Sequence, residues 1–252
     1  MNGLARVVVV FASVLALQGC TGVVGNGHSV TDDRSTGAFD AIDADTSLEV
    51  HIAFGETPSV TVITDGNLLS GITTEIVGGT LRIRETIDMW PKVPSSVNIV
   101  TPTLHAADND GSGAMSVVGF SERALHLGSH GSGHLSASIA ASTLDLVADG
   151  SGGSTITGDT DAITLTQSGS GSVDASGLTA RGAHVRVDGS GGASLVSTGT
   201  TELATLGSGS IHAELDDGAT TLACEGSGSI HWRGNASVAS ESDTGSGSIV
   251  HE

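Results

Sequence analysis

CEGSGSIHWRG, residues 224–234, carries the sequence's decisive pattern. Its Gly-Ser-Gly begins at Gly226, and the same triplet begins at Gly111, Gly131, Gly150, Gly169, Gly189, Gly207 and Gly245. The successive steps are 20, 19, 19, 20, 18, 19 and 19 residues. A self-repeat of that length marks a solenoid. Short alternating runs precede the triplets, among them ALHL, TLDLVA, AITLTQ, HVRV, TELATL and TTLACE. Others follow them, among them HLSAS, STITG, SVDAS, ASLVS, SIHAEL and SIHWRG. Each unit therefore reads as strand, corner, strand, looser turn. One unit has too few apolar side chains for a core of its own, so the units must stack and share one.

The expected fold is an all-β parallel β-solenoid with coils of about 19 residues, right-handed by the general rule for parallel crossovers. A Gly-Ser linker is excluded, because β-branched and apolar residues alternate between the triplets. A propeller blade needs about 40 residues, twice the observed step. A stack of antiparallel hairpins uses the same alternation and stands as the alternative. In the solenoid each Gly-Ser-Gly is a sharp corner. Glycine there admits positive φ. The serines can bond to backbone or to the serine one coil away.

Before the regular coils the pattern is strand-like but not repetitive. SLEVHIAF sets Leu48, Val50, Ile52 and Phe54 on one face, and SVTVIT continues with Val60 and Val62. DGNLL reads as a turn with one helical turn, ITTEIVGGTLRIRE as a hairpin about Gly78-Gly79, MWPKVP as a loop and SSVNIV as a strand. All four prolines fall by Pro102, as expected if later amides are committed to ladders. The folded body is assigned to residues 38–252, with irregular strands over 38–102 that cap or extend regular coils over 103–252.

The first residues differ. MNGLARVVVVFASVLALQGC has one cation, Arg6, and an apolar run over residues 7–17. That run is too short to span a bilayer and suits a signal-peptide core. Leu17-Gln18-Gly19-Cys20 resembles the lipobox of bacterial lipoproteins. This implies a signal peptide over 1–19, cleavage before Cys20 and acylation of Cys20, which would tie the chain to a lipid bilayer. Thr21, in place of Asp, favours the outer membrane. Residues 20–37, small and polar, read as the lipidated cysteine and a flexible tether. With Cys20 acylated, Cys224 has no partner; its alternating context makes it a small strand residue.

The formal net charge is −19, from 9 Lys and Arg against 28 Asp and Glu. Nucleic acid needs clustered cations, so it is excluded as a partner. Docking on anionic lipid by charge is disfavoured as well.

No constellation in the sequence carries catalysis. Asp108 and Asp110 in AADNDGSG look like part of a calcium loop but lack the distal Glu of an EF-hand. Asp149, Asp174 and Asp188 flank corners without recurring in every coil. His212 and His231 follow the same Ser-Ile in adjacent coils and should stack, and His126, His130 and His134 share one coil. These read as exposed histidine ladders, with no metal site assigned; two imidazoles at ladder spacing are the chemistry a transition metal would use. Polysaccharide-processing enzymes also use parallel β-helices. They need convergent acids and cations in a cleft. Here Arg123, Arg181, Arg186 and Arg233 are scattered, and Trp90 and Trp232 are the only tryptophans.

AFDAI at 38–42, SLEVHI with SVTVITDGNLL, GGTLRI, NIVTPTLHAADNDGSG and the closing GSGSIHWRGNASVASESDTGSGSI together resemble the head GIN domain family of auto-transporter adhesins. The resemblance spans residues 38–252. It implies a β-helical, envelope-anchored module with no catalytic residues to carry over. The expected function is a non-catalytic, cofactor-free binding or scaffold module at the cell envelope that contacts cell-surface or extracellular polymers. Asp216 and Asp217, with His212 and His231, are among the polar residues free to contact such a partner. The alternatives are a sugar-processing enzyme and a passive structural lipoprotein.

Overall fold

A computed structural model describes residues 22–35 and 37–252. Cys20 and the assigned signal peptide lie outside the described residues. The chain is a parallel β-solenoid. One face runs from Met115–Ser129 through Leu135–Ala148, Ser154–Gln167, Ser172–Ala180, Gly192–Ser197, Ser210–Leu215 and Ser229–Gly234 to Ser248–His251, each parallel to the last. The other runs from Ala106–Asn109 through the second halves of the three long strands to Ala183–Val187, Thr201–Thr205, Ala219–Gly226 and Ser237–Gly245. The parallel register rules out the hairpin stack for these coils.

Period-2 alternation aims one apolar set inward, and parallel register lays each such residue over its equivalent. Leu127, Leu146, Leu165, Val185, Leu203 and Leu222 form one buried column. Met115 over Val50, then Leu135, form part of another. At the strand spacing of about 4.8 Å these side chains are in van der Waals contact, so each coil's core is completed only by its neighbours. In the last coil Glu241 lies over Leu222 and Asp243 over Cys224. Charge at core positions opposes pairing of that edge with another chain.

The irregular N-terminal strands extend the coils and then close them. Ala41–Asp45 and Glu49–Phe54 pair in parallel with the first regular coil on one side and with Thr80–Glu85 and Ser96–Thr101 on the other. Outside these the pairing turns antiparallel. Ile72–Val77 closes the expected hairpin about Gly78-Gly79, both with positive φ. Ser59–Asp65 lies on Ser96–Thr101.

Three expectations are corrected. The reading of residues 20–37 as a tether fails for Val23–Val24, a strand parallel to Met89–Trp90 of the segment read as a loop, and for Ser29–Arg34, a strand antiparallel to Ser59–Asp65; only one edge of Ser59–Asp65 was taken by Ser96–Thr101, and its open edge recruits the polar segment. Phe54 leaves the face it shares in sequence with Leu48, Val50 and Ile52 and is 53% exposed. Beside it Gly119, at φ 87, adds a residue to the bend, and Phe120 enters the core in its stead. Finally, of the corner glycines only Gly226 has positive φ. Close approach is what excludes a side chain from the corners. A Cβ on Gly131 would fall on the carbonyl oxygen of Gly111, far inside 3.0 Å, and one on Gly133 would fall on that of Gly113. The same holds up the column.

Candidate functional site

The corners are stitched through backbone. The Gly131 carbonyl oxygen accepts N–H bonds from Ser151 at 3.1 Å and Gly152 at 3.4 Å, one coil on, and the pattern recurs from Gly111 to Gly226. The corner serines use their amides for this. Their hydroxyls meet across coils at the end of the column, where Ser227 Oγ lies 3.1 Å from Ser246 Oγ. The column also has a member the repeat does not spell. Gly111 and Gly113 lie over Thr46-Ser47-Leu48, and Glu85 accepts bonds from Thr46 Oγ1, the Ser47 amide and Ser47 Oγ, closing the column from below.

Two residues before several corners a buried polar side chain braces the turn. Asn109 Nδ2 donates to the Gly113 carbonyl at 3.0 Å, and Gln167 Nε2 to those of Gly169 and Gly171 at 2.8 and 3.0 Å. Thr205 Oγ1 and Cys224 Sγ donate to Gly209 and Gly228. The reading of Cys224 as a small strand residue holds: it is fully buried, and burial, with the Asp243 charge, pushes its thiol pKa up. Sequence reasoning missed this brace. Its signal is a polar residue at an inward-facing parity just before the triplet.

On the outer face the histidines separate into two groups. His126 lies between carboxylates of the coils below and above, Nε2 3.3 Å from Asp108 Oδ1 and Nδ1 2.8 Å from Asp145 Oδ2. His130 repeats this, 3.6 Å from Asp108 and 2.8 Å from Asp149. The hydrogen bond to Asp108, then that to Asp145, outweighs partial burial and raises His126 to a pKa of about 9. Burial pulls His130 down, but Asp149, Asp110 and Asp108 outweigh it and raise the pKa. Protonated imidazole thus fills the place a cation would take among these acids. His134 points elsewhere, toward Gly153. Asp110 abuts Asp43, and burial and that charge raise its pKa; Arg84 in turn binds Asp43 at 2.6 Å. The partial calcium loop is therefore spent on internal pairs.

His212 and His231 do stack, with ring centroids 5.2 Å apart and planes 15° apart. They floor a shallow depression of about 320 Å³ walled by Asp174, Ser176, Glu214, Arg233 and Glu252. Asp174 bonds the Ser176 hydroxyl and amide, and those bonds lower its pKa. Arg233 is paired with Glu214, and His231 with Glu252. Arg181 and Arg186 are likewise paired, with Asp161 and Asp188, while Arg123 is exposed. Asp216 and Asp217 lie in a turn in which Asp217 takes φ 59 and its amide bonds Asn235 Oδ1. Among the described residues no cluster of three or more His, Cys, Asp or Glu is placed to hold a metal ion.

The N-terminal end carries a different arrangement. Val23–Val24 pairs in parallel with Met89–Trp90. Asp65, fully buried, pins both segments: it accepts the amides of Gly27 at 2.5 Å, Lys92 at 2.8 Å and Val93 at 3.3 Å. Burial pushes its carboxyl up, but those donors and the Lys92 charge hold it below the usual value. Trp232 is buried and stacks on His251 at 3.8 Å. Trp90 is 59% exposed.

The family model described as "Putative auto-transporter adhesin, head GIN domain" matches residues 38–214. No curated protein matches the sequence. The chain is similar in fold to a crystal structure of a putative adhesin from Bacteroides fragilis, at 19% identity and TM-score 0.76, covering 92% of this chain and 100% of that one. It is also similar to one of a putative lipid binding protein from Parabacteroides distasonis, at 23% identity and TM-score 0.80, covering 91% and 99%. A putative adhesin from Parabacteroides merdae gives 19% identity and TM-score 0.75, covering 91% and 98%.

Proposed function

The chain belongs to the head GIN domain family, and from that premise we propose that it is a non-catalytic, adhesin-like binding module of the cell envelope, held to the outer membrane by lipid on Cys20. The outer faces carry the reading. Several of their few cations are taken up in ion pairs such as Arg181–Asp161 and Arg233–Glu214, an arrangement that neutralises charge in place and does not set an acid against a free base for proton transfer at one point. What remains for a partner is a ladder of polar groups repeated at coil spacing. Such a surface supports many weak contacts to a repeating polymer better than one strong contact to a small molecule. The names of the similar adhesins agree with an envelope or surface location.

The test has two arms. Soluble Cys20→Ser protein, free or arrayed densely on beads, is titrated against cell-wall polymers, matrix proteins and whole cells. Arrayed protein should bind at least about 100-fold more tightly than free protein. Turnover of a polysaccharide, abolished by changing one acid, would overturn the non-catalytic reading. Wild type should fractionate with membranes and Cys20→Ser with the soluble fraction; identical fractionation would overturn the anchor. Protease accessibility on intact cells then tells a periplasmic body from a surface one.

A further inference from the structure

We propose that the exposed face formed by Trp90 and Val24 is a membrane-contact surface that seats in the interfacial layer of the bilayer carrying the Cys20 lipid. This rests on the acylation of Cys20 proposed above. It goes beyond it by fixing how the body stands on the membrane.

The inference follows from how little chain separates the anchor from the folded body. If residues 20–37 were a free tether, the body could ride tens of ångströms from the lipid. The structure removes that freedom. Residues 23–24 and 29–34 are paired, and Asp65 clamps the stretch between them through the Gly27 amide. Gly22 already lies against the Trp90 indole, so closely that a Cβ there would overlap Nε1 and Cδ1. From Gly22 to Cys20 is two residues, which span at most about 7 Å. The indole is thus held within roughly one headgroup layer of the acylated cysteine.

The chemistry of the face suits that layer. Val24 and Trp90 are parallel partners and point the same way, 55% and 59% exposed. Pro91 and Lys92 follow and are exposed too. An aromatic with a polar N–H edge, an aliphatic neighbour and a nearby lysine are the residues found at membrane–water interfaces. Elsewhere the chain is acidic, with a formal net charge of −19, so attraction to anionic headgroups does not drive the seating. An apolar anchor beside the acyl chains does, and it should be nearly insensitive to salt.

The experiment uses full-length acylated protein in phosphatidylcholine vesicles with and without brominated acyl chains. Trp90 emission is taken as wild type minus Trp90→Ser. The prediction is a blue shift on reconstitution, loss of acrylamide quenching, and quenching by the brominated lipid that persists at high salt. Val24→Ser, which removes the aliphatic partner of the indole, should weaken the quenching of Trp90 by the brominated lipid. The mass of the N-terminal peptide is measured on the same sample, so failure of acylation is seen separately from failure of docking. Acylated protein whose Trp90 stays quenchable by acrylamide and untouched by brominated lipid would overturn the proposal. So would Trp90 shielded before vesicles are added, either in protein that retains residues 1–19 or in a concentration-dependent dimer.

Discussion

His126 Nδ1 lies 2.8 Å from Asp145 Oδ2 one coil above, while its Nε2 faces Asp108 one coil below at 3.3 Å. A neutral imidazole can donate through only one of these nitrogens, so the bridge requires the protonated ring.

That bridge sets a pH dependence. The folded pKa of about 9 lies above the unfolded value of about 6.5. The contribution of His126 to stability is therefore full below about pH 6.5 and is lost as pH rises through 9. Denaturant unfolding should show wild type losing stability over that window relative to His126→Gln, and the NMR titration of the ring should have its midpoint near 9. A midpoint near 6.5 would refute the bridge. His130, which shares Asp108, adds a smaller loss in the same direction.

The corners predict a sharp contrast between adjacent residues. In Gly169→Ala the new Cβ falls on the Gly150 and Asp149 carbonyl oxygens. It must force the coils apart, and about 3 kcal/mol or more should be lost. Exposed Ser170 uses only its amide, to Gly150 at 3.2 Å, so Ser170→Ala should change stability by under about 0.5 kcal/mol. Equal losses would show that the serine hydroxyl, not glycine contact, holds the corner.

Gln167→Met keeps the buried volume but removes both donors to Gly169 and Gly171. The Gly169 carbonyl keeps its bonds from the Ser190 and Gly191 amides, and the unpartnered Gln167 Oε1 goes as well, so the net loss should be about 1 kcal/mol. Urea unfolding checks it; a neutral result would mean that the brace contributes nothing beyond filling space.

Cys224 should be inert. In the Cys20→Ser chain it is the one thiol left of two, buried and with its pKa raised. Labelling by an aromatic disulfide should proceed only as fast as the coil opens, and should accelerate steeply in denaturant. Immediate labelling in native buffer would contradict the burial.

Asp65→Asn should release the N-terminal strand pair. The amide group presents an N–H to donors that now share a carboxylate, at Gly27 and Lys92. Hydrogen exchange at those amides should rise while the corner amides stay protected. Uniform exchange across the molecule would mean that Asp65 holds the whole fold and not that segment.

The eight Gly-Ser-Gly triplets, at steps of 18 to 20 residues, determined the coils, the corner column and the inward apolar columns, because a repeat that cannot bury its own face must stack in register. Alternation alone also placed Val50, Ile52, Val60 and Val62 in the core, and the repeat register set His212 against His231. Alternation says nothing about contacts made across long separations, and those the tertiary structure decided. Thr46-Ser47-Leu48 serves as a corner because Glu85, 38 residues from Ser47, supplies the acceptor that a further coil would have. Gly22 to Arg34 is folded because Ser59–Asp65 has an open edge and Asp65 has amides to collect from both sides. Phe54 is outside because Gly119, in the next coil, breaks the period beside it. In each case the deciding partner is remote in sequence, and a local pattern holds no record of it.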